Sequence, residues 1–271
     1  ATSWPKPQSV PDAIYDFIAN RGANVARGSA SMRDIQSLDN VFTCRQKLAE
    51  LLGGHQKCDP RFITLTSNIT ESINIIIKGF LKPGMKAVTS SMEHNSVLRP
   101  LRRAESEGVA LDIIQCSLKG YLDPDLMKKY LSEGADIAII NHCSNVCGSL
   151  QNIEDIAEVC RTSNVPLVVD CAQTAGIIKI SAQDLGVAAL CFTGHKGLFG
   201  PQGTGGIVWD PEFAQRCSPL FEGGTGSISH EEFQPSQMPD KFEAGTPNLP
   251  GIAGLLASVE WIENEGIDKI R

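Results

Sequence analysis

The strongest constraint on how this chain can fold is an alternation. Short β-branched or apolar runs at 62–66, 87–90, 111–115, 137–141, 167–170, 189–193 and 206–209 are separated by longer segments of helical period. Helices are expected at about 70–81, 94–107, 123–132, 153–163 and 180–186. Two more precede the first strand, at about 9–20 and 33–53, and one lies at about 251–265. Strand–helix–strand repetition of this kind predicts an α/β fold, a mostly parallel seven-stranded sheet with helices on both faces. In such a sheet the ligand site collects at the carboxyl ends of the strands, in the loops leading to helices. Within 33–53, Ile35, Leu38, Phe42, Ala49 and Leu52 fall on one face at helical spacing. No internal repeat or low-complexity tract interrupts the pattern. The one long stretch without an expected element is 222–248, and a loop of that length is usually functional or mobile.

The bulk numbers exclude several classes of function. With 24 basic against 31 acidic residues the net charge is −7, which is no footprint for nucleic acid or an anionic membrane. A content of 42% hydrophobic and 20% charged residues is that of an ordinary globular protein. No segment has the apolar length needed to span a bilayer, and the first ten residues, rich in Pro and polar groups, do not read as a signal peptide. The nine cysteines include no C-x-x-C pair and are odd in number. They read as reduced thiols, several of them buried, in a cytoplasmic protein rather than as a disulfide framework. Cys147 and Cys171 are both expected in the interior. Neither His55/Cys58 nor Cys143/Cys147 supplies the four ligands of a structural zinc site, so no metal is expected.

Three segments carry candidate chemistry. In Thr193-Gly194-His195-Lys196-Gly197, a lysine follows an apolar strand and precedes a glycine-rich loop, which sets its amine at a strand's carboxyl edge. A cofactor aldehyde needs such an amine, rigidly held and partly desolvated so that it is neutral and nucleophilic. The competing readings are a surface lysine near a turn and a nucleotide phosphate loop. The second fits less well, since Gly rather than Ser or Thr follows Lys196 and the glycines lead into a strand. In Val168-Val169-Asp170-Cys171-Ala172-Gln173, a carboxylate ends a buried strand and needs a cationic partner. A protonated pyridine nitrogen is one such partner, although a strand-terminal Asp also serves as a cap or turn former. In Thr66-Ser67-Asn68-Ile69-Thr70-Glu71, Asn68 and Glu71 read as a capping box. The helix N-terminus it opens, flanked by Ser and Thr hydroxyls, suits a phosphate. His94 and Asn145, each just past a strand, are further candidates, for ring stacking or proton shuttling and for polar contact respectively.

These pieces occur in the order and spacing of the class V aminotransferase family, the fold-type I pyridoxal-phosphate group that includes cysteine desulfurases and selenocysteine lyases. The resemblance begins at Ala1-Thr2-Ser3-Trp4-Pro5-Lys6-Pro7. It takes in Glu93-His94-Asn95-Ser96-Val97-Leu98-Arg99-Pro100, Gly194-His195-Lys196-Gly197 and Phe242-Glu243-Ala244-Gly245-Thr246-Pro247-Asn248, and it runs to the end of the chain. It implies pyridoxal 5'-phosphate as cofactor, with Lys196 forming the internal Schiff base and Asp170 holding the pyridine nitrogen. Gln173 would sit by the phenolic oxygen and His94 on the ring face. The phosphate would be held by Thr70, the backbone at Ile69, Thr193 and His195. Asn145 would lie near the substrate carboxylate. Thr246 would reach the phosphate of a neighbouring subunit, which implies a homodimer. A sulfur-acceptor protein is a possible further partner of a desulfurase.

The same resemblance sets expectations about extent. Residues 1–271 would form the cofactor-binding large domain, with 1–20 as an N-terminal arm and helix and 250–271 as a helix leading to a small C-terminal domain. Family members carry a short first strand ahead of Thr2. Their small domain supplies the carboxylate-binding arginine and, in desulfurases, a loop with the nucleophilic cysteine. The chain is therefore expected to be incomplete and impaired in turnover by itself. Smaller departures are Asn68 where many relatives have Gly, and Ala188 where they often have Asp. The expected activity is sulfur transfer from L-cysteine. Transamination, selenocysteine lysis, β-elimination, epimerisation and kynurenine cleavage on the same scaffold stay open, as does an inactive dimerising fragment.

Overall fold

The computed structural model describes residues 4–22, 31–227 and 231–271, so Ala1–Ser3 of the N-terminal motif and part of the 222–248 stretch lie outside the described residues. The strands are β1 (Ile63–Thr66), β2 (Lys86–Ser90), β3 (Ala110–Ile114), β4 (Ile137–Asn141), β5 (Leu167–Asp170), β6 (Ala189–Thr193) and β7 (Gly205–Trp209). They form one sheet in the order β1-β7-β6-β5-β4-β2-β3. Strands β3, β2, β4, β5 and β6 pair in parallel, and β7 runs antiparallel to both β6 and β1. The mostly parallel seven-stranded sheet expected from the sequence is the one observed.

The helices are α1 (Ser9–Asp16), which continues as a π turn over Phe17–Arg21, then α2 (Met32–Leu51), α3 (His55–Cys58), α4 (Ile69–Phe80) and α5 (Asn95–Ser106). There follow α6 (Pro124–Ser132), α7 (Ile153–Thr162), α8 (Ala182–Leu185), α9 (Pro211–Arg216), α10 (Leu249–Glu265) and α11 (Ile267–Ile270). Their starts are set locally: the side chains of Asn68, Asp123, Asn152, Ser181 and Asp210 each accept a backbone N–H from the first turn they cap. The short α3, α9 and α11 have no counterpart among the expected helices. The α3 turn is irregular, with Gln56, Lys57 and Cys58 all at positive φ.

Two apolar layers sandwich the sheet. Along β4, Ile137 and Ile139 face the layer under α4, α5 and α9, whereas Ala138 and Ile140 face the layer under α2, α6, α7 and α10. Both faces being covered explains why β4 and β5 read as unbroken apolar runs instead of alternating ones. At the antiparallel edge, Trp209 is fully buried and its indole N–H donates to Thr64 Oγ1 at 2.9 Å. Its ring stacks on Phe242 with centroids 4.7 Å apart, which ties the 222–248 stretch to the core.

The expected face of α2 needs correction. Of the five residues, Ala49 and Leu52 are buried, but Ile35, Leu38 and Phe42 are 47%, 40% and 54% exposed, and in the earlier turns the stripe turned to the core is Ser37, Val41, Cys44 and Leu48. Both sets repeat at helical spacing, so periodicity alone did not decide between them. The packing of α10 against α2 selects the second. Among the thiols, Cys44, Cys160, Cys171, Cys191 and Cys217 are buried as expected, but Cys147 is exposed, in the loop between β4 and α7. All nine are free. No helix among the described residues is long and apolar enough to cross a membrane.

Candidate active site

One cleft opens at the carboxyl ends of the central strands. Its wall includes Asn68, Ile69 and Thr70 from the start of α4, His94 and Ser96 from the start of α5, and Asn141, Cys143 and Asn145 after β4. Asp170, Ala172 and Gln173 follow from β5, and Thr193, His195 and Lys196 from the end of β6. Every candidate residue except Thr246 is in this set. Thr246 lies in a neighbouring cleft with Ser67, Thr204 and Asn248.

Sheet register explains how distant residues converge. Asn141 of β4 pairs with Asp170 of β5, and Asp170 with Cys191 of β6, so the strands end at nearly one level. The Asp170 carboxyl is buried and accepts the Ala172 N–H at 2.9 Å. Burial pushes its pKa up, while that N–H and the charges of Lys196 and His94 pull it down. Lys196 is half-buried, and among the described residues its amine makes no hydrogen bond or ion pair. Burial lowers its pKa and the Asp170 charge partly opposes this. An amine in that setting is closer to neutral than an ordinary lysine, as nucleophilic attack requires.

The loop that carries Lys196 is clamped by backbone contact. A Cβ on Gly197 would stand 2.5 Å from Ala175 O, and one on Gly176, at φ +81°, would stand 2.5 Å from Gly197 O. Glycine at both positions lets the Lys196 turn lie directly on the segment after Gln173. From the other side, Lys6 Nζ donates to His195 O at 2.8 Å, and Trp4 packs near Phe199, which in turn packs edge-on against Trp261 of α10. The sequence reading did not find Lys6. Nothing in its local pattern marks it, because its role depends on a loop 189 positions away.

At α4, Asn68 Oδ1 accepts the Glu71 N–H at 3.0 Å, as the capping box predicts, and Glu71 returns a contact to Ser67 N at 2.7 Å. The N–H groups of Ile69 and Thr70 stay outside the helical ladder and face the cleft end with the positive pole of the helix dipole. Close packing also explains Gly205 on β7: a Cβ there would be 2.8 Å from Asn68 Cα, so glycine is needed across from the cap. His94 caps α5, its Nδ1 accepting the Ser96 N–H at 3.1 Å. That contact leaves the proton of the neutral ring on Nε2. Thr193 is buried, with its hydroxyl 3.1 Å from His195 Nδ1. Asn141, which was not singled out from the sequence, also lines the cleft, as does Cys143, which was weighed there only as a metal ligand. The signal was available for Asn141, which ends its strand as Asp170 ends the next.

The donor set matches a flat, anionic carbonyl compound with a basic ring nitrogen: a buried carboxylate, a desolvated amine, an imidazole at the rim and a helix N-terminus in one cleft. Among the described residues no group of three or more His, Cys, Asp or Glu is placed to hold a metal. The aminotransferase class V family model matches residues 1–271. This chain belongs to the class V aminotransferase family. It is 33% identical over 97% of its length to a probable cysteine desulfurase of Pyrococcus abyssi, of which it spans 66%. The apo cysteine desulfurase of Thermococcus onnurineus superposes with a TM-score of 0.90 at 29% identity, covering 98% of this chain and 66% of that one. The Escherichia coli cysteine desulfurase CsdA gives 0.85 at 29% identity, covering 97% and 67%. The class V chain thus spans about two thirds of the length of the relatives it matches.

One thiol near the cleft behaves differently from the rest. The exposed Cys147 has its pKa lowered to about 7, first by the hydroxyl of Ser149 at 3.1 Å and then by that of Ser144. Burial pushes the Cys171 thiol well up, so it stays protonated and inert. Alkylation of the folded protein with iodoacetamide, followed by peptide mass spectrometry, is expected to label Cys147 first. Its rate should rise through a midpoint near pH 7, while Cys44, Cys171 and Cys191 stay unlabelled. Equal labelling of Cys147 and the buried thiols would contradict the assignment.

Proposed function

We propose that this class V chain is the cofactor-binding large domain of a cysteine desulfurase. In this reading it binds pyridoxal 5'-phosphate at Lys196 and acts in sulfur transfer from L-cysteine. The observation that carries the proposal is the joint burial of the Asp170 carboxyl and the Lys196 amine in one cleft closed by the N-terminus of α4. The named activity of the relatives, which this chain spans by about two thirds, directs the choice of reaction.

The residues divide the work by chemistry. Asp170 would hold the pyridine nitrogen, with Gln173 beside the phenolic oxygen and His94 against the ring face. The phosphate is bound by the N–H groups at Ile69 and Thr70, the Thr70 and Thr193 hydroxyls and His195, where the helix dipole favours an anion. Asn145, exposed on the loop after β4, orients the amino-acid carboxylate. Bound there, pyridoxal phosphate supplies the electron sink for chemistry at the amino acid's α-carbon. Lys196 would anchor the cofactor and move a proton at that carbon, a role suited to an amine whose pKa is lowered by burial. The proposal extends to a homodimer in which Thr246 reaches the phosphate of the second subunit. Thr246 is exposed and set apart from Lys196 on its own chain, which supports this part. A sulfur-acceptor protein and a reducing cytoplasmic setting complete the reading.

The test is direct. Incubation with pyridoxal phosphate should give a visible absorption band that borohydride bleaches, and peptide mapping of the reduced protein should find the label on Lys196. A folded protein that shows no band, or a label on another lysine, would sink the proposal.

A further inference from the structure

Glu93 lies beside the site, buried under the rim that His94 occupies, and nothing described so far uses it. Its Oε1 accepts the Ser90 hydroxyl at 2.7 Å and the Asn141 N–H at 3.0 Å. Its Oε2 is buried with no partner. Asn141 has the matching defect: its Nδ2 donates to Met92 O at 2.6 Å and its Oδ1 is buried with no partner. The amide cannot be turned to relieve this, since Met92 O is an acceptor and requires the N–H side. Two buried acceptor atoms are therefore orphaned in one small cluster, on residues already joined by a hydrogen bond. One proton supplies what both lack.

We propose that Glu93 is held as a neutral carboxylic acid, with its proton on Oε2 and Asn141 Oδ1 as the acceptor. As a positioning residue it leaves Asp170 as the single negative charge turned to the cleft. Asn141 is the register partner of Asp170, so the acid sits one strand from the carboxylate. A second charge there would oppose ionisation of Asp170, and two close buried carboxyls do not both ionise. The choice between them follows from their surroundings. Asp170 accepts a backbone N–H and faces the amine of Lys196, whose charge favours its ionised form. The charge acting on Glu93 is that of Asp170 on β5, which disfavours its ionisation. The thiols nearest Asp170, Cys171 and Cys191, stay protonated through burial and add no charge. Burial pushes Glu93 up to about 8, and Asp170 adds to the shift.

The link to Asp170's task rests on the proposed cofactor, but the protonation state does not, and the experiment separates them. Infrared difference spectra of the cofactor-free protein are compared with those of Glu93→Gln, which keeps one acceptor and offers an N–H to Asn141 Oδ1. The wild type should show a carboxylic-acid carbonyl band that disappears with a midpoint near pH 8 and is missing from the variant. The folded acid holds its proton after the unfolded one has lost it, so this group's contribution falls from about pH 4.5 to about pH 8. The melting temperature of Glu93→Gln relative to wild type should therefore climb across that window and then level off. A wild-type spectrum identical to the variant's, together with a flat difference in melting temperature, overturns the proposal. With cofactor, Glu93→Gln should bind pyridoxal phosphate within about threefold of wild type at neutral pH and hold that affinity above pH 8, where the wild type weakens by roughly tenfold. If neither protein binds the cofactor while the infrared band is present, the cofactor reading fails and the neutral acid stands.

Discussion

Replacing Lys196 with alanine is expected to abolish covalent retention of pyridoxal phosphate completely. No borohydride-stable label should remain anywhere in the chain, and the visible band should shift to that of free or loosely held cofactor. Reversible binding should survive in part, because the α4 N-terminus and Asp170 are untouched. The fold should not suffer. Among the described residues the Lys196 amine makes no hydrogen bond, and burial costs it hydration, which lowers its pKa. Removing it should change the unfolding free energy by less than about 1 kcal/mol, or raise stability slightly. Absorbance with peptide mapping reads the first effect and urea unfolding the second. A variant that loses its label only because it unfolds would remove support from the active-site reading.

The largest expected loss of stability comes from Arg45→Met. Arg45 on α2 forms an ion pair with Glu243, and Glu243 also accepts the Leu65 N–H at 2.7 Å, so three distant segments meet at one carboxylate. Both side chains are largely buried. Burial raises the Glu243 pKa and Arg45 is the main influence holding it down. Without the guanidinium the carboxylate is stranded, which typically costs about 3–5 kcal/mol. For a domain of this size that is a fall in melting temperature of roughly 6–15 °C. The sign of the pH dependence follows: a stranded Glu243 takes up a proton as pH falls, so the variant's deficit should shrink between about pH 7 and pH 5. An equal deficit at both values would mean that the loss comes from packing of the arginine stem.

The parts of this molecule that were legible in its sequence are those fixed by local chemistry. Strands β4, β5 and β6 begin and end where the apolar runs do, because both faces of the sheet are covered and no polar alternation blurs them. The Asn68 cap and the Lys196 turn were equally readable, since a capping side chain and a glycine clamp leave their mark within a few residues. What escaped depends on distant neighbours. Which stripe of α2 is buried is decided by α10. Lys6 supports His195 through the fold and not through any motif. Cys147 was expected in the interior as a thiol, yet the loop after β4 turns it outward. Glu93 stood in a recognisable motif beside His94, but its missing donor is visible only once Asn141 is brought to it.

The single antiparallel strand has a consequence for how the molecule is made. Ile63 of β1 pairs with Val208 of β7, and among the described residues β1 has no other neighbour in the sheet. During synthesis, β1 therefore leaves the ribosome long before its partner does, and α1 and α2 likewise wait for α10. Strands β2 to β6 can meanwhile assemble, each next to strands already made. The nascent chain passes through a stage in which its middle is ordered while its beginning is an open edge and an uncovered helix. Contacts of such long sequence separation are slow to close, and exposed edges invite association. Translation of β7 and α10 is then what ends that vulnerable period, and a delay in reaching residue 208 would matter more than one anywhere between β2 and β6.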